Sequence, residues 1–161
     1  MGNYKSDNML EKHYTTQELY KAMLDVLKEF YKGEVTEFLE TSAGDGRLID
    51  FLKLEYPGIE VKAYDKFNET HRDDIKECDY LKEKIEYKPG RVCFQNPPFN
   101  KTLKFIYKAL EECDYIVSIM PIQSILNFDY DKYEVDTIDI YRDYDFGTCK
   151  TSICIISARK K

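Results

Sequence analysis

Leu19, Ala22, Met23, Val26, Leu27 and Phe30 recur at three- and four-residue intervals. One face of this stretch is therefore apolar, and it reads as an amphipathic helix. Thr15 and Glu18 fit a capping box at its start, and Gly33 ends it. Val35 to Glu40 reads as a first strand, and Leu48, Ile49, Phe51 and Leu52 mark a second helix. After the Pro57-Gly58 turn, Ile59 to Tyr64 forms a second strand that ends at Asp65. Asn68 to Ile75 is short, charged and weakly helical. Pro89-Gly90 turns the chain into Arg91 to Gln95, a strand. Leu103, Ile106, Tyr107 and Leu110 then give a helix that begins near Thr102. Asp114 to Met120 is largely apolar, as a central parallel strand is, and Pro121 stops it. Val135 to Tyr144 and Thr151 to Ala158 read as two late strands joined around Gly147.

Two junctions carry candidate chemistry. Between the first strand and second helix lies Glu40-Thr41-Ser42-Ala43-Gly44-Asp45-Gly46. The glycines allow a sharp turn and close approach of a ligand to the backbone, and the helix start that follows offers unpaired N–H groups. Asp65, at the end of the second strand, stands about 20 residues further on, the spacing of a ribose-binding acid. The second junction is Asn96-Pro97-Pro98-Phe99, between the fourth strand and its helix. Open α/β sheets place their ligands at such strand exits. Two prolines fix two φ angles and remove two donors, and Pro97 holds Asn96 extended. The loop offers an amide side chain, backbone carbonyls and one ring, a set suited to a planar substrate bearing an NH₂ group.

Asn-Pro-Pro-Phe resembles the (Asp/Asn/Ser)-Pro-Pro-(Tyr/Phe/Trp) loop of the S-adenosylmethionine-dependent amino-methyltransferases. These include the N6-adenine DNA methyltransferases, some RNA adenine methyltransferases and the enzymes that methylate glutamine in release factors. The glycine stretch resembles their first cofactor motif, with Thr41 where a proline is frequent. Gly-x-Gly-x-x-Gly of the dinucleotide fold fits less well, because Ile49 stands where its third glycine would be. The resemblance runs from about His13 to Ala158. It implies a single α/β domain over 1–161, with 1–10 as a flexible arm. The fold implied is a Rossmann-like class I methyltransferase: a mostly parallel seven-stranded sheet, helices on both faces and an antiparallel C-terminal hairpin. S-adenosylmethionine is the implied cofactor. Glu40, Thr41, Ser42, Ala43, Gly44 and Gly46 would hold its methionine end, helped by Tyr14 and Thr15 from a partial Tyr-Thr-Pro element. Asp65 would hold the ribose, with Lys66 and Phe67 alongside. Asp79 and Tyr80, from an Asp-(Phe/Tyr)-Leu element after the third strand, would meet the adenine. Asn96, Pro97, Pro98 and Phe99 would be catalytic, with Asn96 also touching the cofactor. Phe99, Lys101 and Phe146 would contact the substrate, Phe146 by stacking on the target base. Lys104 and Lys108 join Lys101 as phosphate contacts.

Composition narrows the partners. The chain has 161 residues, 43% hydrophobic and 34% charged, which suits one soluble domain. No long apolar run or signal core is present, so a cytoplasmic protein without a membrane span is expected. The five cysteines lack a Cys-x-x-Cys pair, which argues against disulfides and structural zinc; no metal is expected. The net charge is −6 and the pI about 5.1. Grip on a nucleic-acid backbone comes from Lys and Arg. The balance therefore favours a small footprint, a homodimer or specificity subunit, or a substrate other than long DNA. No stretch is long enough for a separate target-recognition domain. DNA adenine is the favoured substrate. RNA adenine, protein glutamine and a non-catalytic subunit stay open as alternatives.

Overall fold

A computed structural model describes residues 17–147 and 149–161. Among the described residues three α-helices, α1 (Gln17–Phe30), α2 (Arg47–Glu55) and α3 (Thr102–Glu112), flank seven strands. The strands are β1 (Glu37–Glu40), β2 (Glu60–Asp65), β3 (Ile75–Glu77), β4 (Arg91–Gln95), β5 (Tyr115–Pro121), β6 (Tyr133–Asp145) and β7 (Lys150–Lys160). They form one sheet in the order β3-β2-β1-β4-β5-β7-β6. Pairing is parallel from β3 to β5, and β7 runs antiparallel to both β5 and β6. The expected α/β architecture with its C-terminal hairpin is therefore present.

Side chains alternate between the faces of the strands, and that alternation builds two cores. Phe38, Val92, Phe94, Val117, Ile119, Ile153 and Ile155 face α1 and α2. Leu39, Cys93, Ile116, Met120, Cys154 and Ile156 face α3. The central strands β4 and β5 are buried at nearly every position, which is why β5 reads as a largely apolar run. The strand order reverses at β1 and β4, and both strands point their carboxyl ends the same way. The glycine stretch and Asn96-Pro97-Pro98-Phe99 leave those two ends, so the topology sets them side by side. At the opposite end of the sheet, Arg91 Nε donates to Glu37 Oε2 at 2.6 Å in a buried ion pair that holds the fold.

Residues 68–74 depart from the helical expectation. The Asn68 amide donates to the Arg72 carbonyl at 2.8 Å and the Ile75 carbonyl at 3.2 Å, and its oxygen accepts the Arg72 N–H at 3.2 Å. A short polar side chain that binds nearby backbone competes with helix formation, and the segment is a knot of turns before β3. Among the described residues no helix is long and apolar enough to cross a membrane.

Candidate active site

The chain leaves β1 at Glu40 and turns through 41–46 into α2. Gly44 and Gly46 adopt left-handed φ angles of 58° and 86°. Most of the turn's donors are spent inside the protein. Ser42 N–H meets Glu40 Oε1 at 3.0 Å, Ala43 N–H meets the Tyr64 carbonyl at 2.9 Å, and Gly44 N–H meets Asp65 Oδ2 at 2.8 Å. Gly46 N–H meets the Ala43 carbonyl at 2.9 Å, and Arg47 N–H meets Asp45 Oδ1 at 3.1 Å. At the start of α2 the Arg47 N–H is therefore taken, while among the described residues no hydrogen bond falls on the Leu48 and Ile49 N–H groups, as expected of a helix start. A loop whose amides are occupied is not a phosphate cradle. It does suit a cationic ligand, because two buried carboxylates, Glu40 and Asp65, stand behind it.

Glu40 is 2% exposed, and among the described residues no cation lies within salt-bridge reach of it. Burial pushes its carboxyl well above the usual carboxylate range, and the Asp65 charge adds to the rise. A bound cation would reverse that shift. Asp65 does two jobs at once. Its Oδ2 takes the Gly44 N–H and its Oδ1 takes the Phe67 N–H at 2.9 Å, so it fastens the glycine turn to the end of β2. Lys66 is exposed, and the Phe67 ring is 60% exposed beside Asp65. An apolar ring left in solvent at a strand exit is a ready stacking surface.

One residue escaped the sequence reading. Arg72 lies across the glycine turn. Its guanidinium forks to Asp50 at 2.9 and 3.1 Å and to Asp74 at 2.8 and 2.9 Å. It also reaches the Gly46 carbonyl at 3.4 Å. These acids hold the guanidinium's pKa above its ordinary value. The signal was the acid-rich run around it, Arg72-Asp73-Asp74, but no spacing rule pairs it with Asp50.

Asn96 and Pro98 are half-buried and Pro97 is buried. Pro98 sits at φ −55°, ψ 133°, and Phe99–Lys101 continues as one 3₁₀ turn into α3. The Pro98 carbonyl accepts the Lys101 N–H at 3.1 Å, and Thr102 Oγ1 lies 3.1 Å from the carbonyls of both Pro98 and Phe99. Among the described residues no hydrogen bond falls on the Pro97 carbonyl. The loop is thus pinned at its far end, while the Asn96–Pro97 end keeps an acceptor to offer.

Three expected roles are corrected by packing. Phe146 is 1% exposed, edge-on to Phe99 with centroids 6.3 Å apart and to Tyr144 at 4.8 Å. It supports the Phe99 ring and shows no face to a base. Tyr80 is buried in the core under α3, and its hydroxyl donates to the Glu112 carboxylate. Its side chain is therefore committed to structure. Lys108 bonds Glu112 and lies 3.9 Å over the Tyr80 ring, so it is not a phosphate contact. Asp79 is half-buried, and its carboxylate caps the following 3₁₀ turn by accepting the Leu81 N–H at 3.1 Å. Lys101 is exposed beside the loop. Tyr14 and Thr15 lie outside the described residues.

No protein-family model matches the sequence, and no curated relative matches it. Solved structures do match the fold. A putative RNA methyltransferase from Pyrococcus horikoshii superposes with a TM-score of 0.70 at 16% identity, over 94% of this chain and 88% of that one. The 23S rRNA methyltransferase ErmE gives 0.68 at 13% identity, over 88% and 68%. A dimethyladenosine transferase from Plasmodium falciparum gives 0.64 at 13% identity, over 91% and 62%. The fold is the Rossmann-like class I methyltransferase fold. Its solved neighbours include proteins described as S-adenosylmethionine-dependent.

Proposed function

We propose that this protein transfers a methyl group to the exocyclic N6 amine of adenine in a nucleic acid, RNA before DNA. The observation that carries the reading is the rigid Asn96-Pro97-Pro98-Phe99 loop at the exit of β4, beside the acid-backed glycine turn on β1. S-adenosylmethionine supplies an electrophilic methyl group when bound. Glu40 and the turn at 41–46 hold its cationic methionine end. Asp65 accepts from the ribose, and Phe67 covers the adenine face. An adenine amine is a weak nucleophile because its lone pair is delocalised into the ring. The Asn96 side-chain oxygen and the Pro97 carbonyl would accept its two hydrogens and so orient the amine with its lone pair free for transfer. Both acceptors are neutral, so they orient the amine and stabilise the positive charge that develops on it; the proton leaves afterwards. Phe99 stacks on the base, and a base within a duplex is first flipped out. The preference for RNA rests on the neighbours described as RNA methyltransferases. It rests also on the net charge of −6, which is ill-suited to gripping long duplex DNA alone.

The test is transfer of labelled methyl to a panel of RNA, single-stranded DNA, duplex DNA and protein extract. Label in the RNA pool, lost with Asn96→Ala, supports the reading. Label confined to DNA or to protein overturns the preference for RNA. No label in any pool overturns the proposed activity.

A further inference from the structure

A single polar row crosses the core face under α3. Leu39, Cys93 and Ile116 stand in register on β1, β4 and β5. Two residues further along, at Thr41 just past the end of β1 and at the paired Gln95 and Ser118 of β4 and β5, the apolar rule fails. All three are buried, and Gln95 and Ser118 are 0% exposed. The next residue in the row is Ile156 on β7, so the polar run spans only the strands that carry the candidate site and their neighbour.

Buried polar groups cost free energy unless they are bonded, and this row is bonded in one direction. The Thr41 hydroxyl donates to Gln95 Oε1. Gln95 Nε2 donates to Ser118 Oγ at 3.3 Å. The Ser118 hydroxyl donates to the Ile119 carbonyl at 3.0 Å. Thr41 opens the glycine turn, and Gln95 immediately precedes Asn96. No other side-chain bond among the described residues ties β1 to β4 at their carboxyl ends.

We infer that Gln95 is a positioning residue: it locks the cofactor turn to the catalytic loop and sets the distance across which the methyl group moves. This rests on the proposed function for its catalytic consequence, but the lock itself is a property of the fold. Gln95 is held at both ends of its amide, so the backbone on either side cannot slide without breaking two bonds. An apolar row would pack as well yet hold the strand ends only through backbone pairing. Misplacing reacting groups by about 1 Å costs on the order of 10²-fold in rate, so a loose row acts on turnover before it acts on affinity.

The test compares the parent with Thr41→Val/Gln95→Met/Ser118→Ala, which replaces every partner at once and leaves no buried polar side chain stranded. Three quantities are read: cofactor affinity by calorimetry, kcat for methyl transfer, and hydrogen exchange at the Asn96 and Phe99 amides. The expected result is kcat down by about 30-fold or more and exchange at both amides faster by about tenfold, beyond whatever the Thr41 change costs in affinity. Equal kcat together with equal exchange overturns the inference. If the triple variant does not fold, Thr41→Ser is set against Thr41→Val. The serine variant keeps the hydroxyl and is expected to keep parental exchange at both amides, with Thr41→Val faster; equal exchange in the two overturns the inference. If the parent transfers no methyl to any substrate, the proposed function fails, and exchange alone decides the lock: faster exchange upholds it and unchanged exchange overturns it.

Discussion

Gly46→Ala probes the clamp over the glycine turn. Gly46 has φ 86°, a region in which an alanine costs about 1–2 kcal/mol. A Cβ there would stand 2.2 Å from Arg72 Nη1, 2.4 Å from Cζ and 2.6 Å from Nε. Those are impossible contacts, so the guanidinium must swing away. A flexible side chain can do that, and the cost is the forks to Asp50 and Asp74. Their side chains are 63% and 30% exposed, so the lost pairs are worth about 1 kcal/mol together. The sum is about 2–3 kcal/mol, which lowers Tm by roughly 5–10 °C for a chain of this length. Arg72→Ala alone is expected to cost about 1 kcal/mol. The double variant is expected to cost about 2–3 kcal/mol, no more than Gly46→Ala alone, because the backbone strain and the loss of the forks each enter only once; urea denaturation of the four proteins measures that coupling. Strict additivity, or a Gly46→Ala protein that melts within about 2 °C of the parent, would refute the clamp.

Other substitutions separate binding from folding. Burial raises the Glu40 pKa, so the folded state holds this proton more tightly than the unfolded state, whose value is near 4.5. That contribution is fully present below the unfolded pKa and is lost as pH rises through the folded one. Glu40→Gln should therefore be at least as stable as the parent at pH 8, with the largest gain at high pH, while binding S-adenosylmethionine at least about tenfold more weakly. A variant less stable at pH 8 would contradict the buried-carboxylate reasoning. Phe67→Ala removes a ring already in solvent and should leave Tm unchanged while weakening cofactor binding about threefold to tenfold by calorimetry. Tyr80→Phe takes a donor from the buried Glu112 carboxylate. It should cost about 1–2 kcal/mol in denaturation with cofactor affinity unchanged, and a loss of affinity would return Tyr80 to the site.

The order of elements was legible because the local signals agreed with the fold. Phe38-Leu39 and the run from Tyr115 to Met120, Ser118 apart, are apolar at successive positions, as a sheet covered on both faces requires. The glycines and Asn96-Pro97-Pro98 mark the two strand exits by backbone chemistry alone. What misled was tertiary partnership. Phe146 sits in a hairpin turn, where an aromatic residue reads as exposed; only the packing of Phe99 and Tyr144 shows that it is core. Tyr80 matched a cofactor element by its neighbours, yet Glu112, 32 residues on, claims its hydroxyl. Lys108 read as one of three similar lysines until that same carboxylate took it. Residues 68–75 looked helical because the Asn68 captures of backbone at 72 and 75 leave no period in the sequence. Arg72 was invisible for the same reason, since its acids come from two separate elements.

The identity of the methylated nucleoside tests the central claim most directly. RNA is incubated with labelled S-adenosylmethionine and the protein, digested to nucleosides and resolved by chromatography. The expected result is label that comigrates with N6-methylated adenosine and disappears when Asn96→Ala replaces the parent. Label on a ribose oxygen or on a ring carbon, or label that survives Asn96→Ala, would contradict the role given to the Asn96 and Pro97 acceptors.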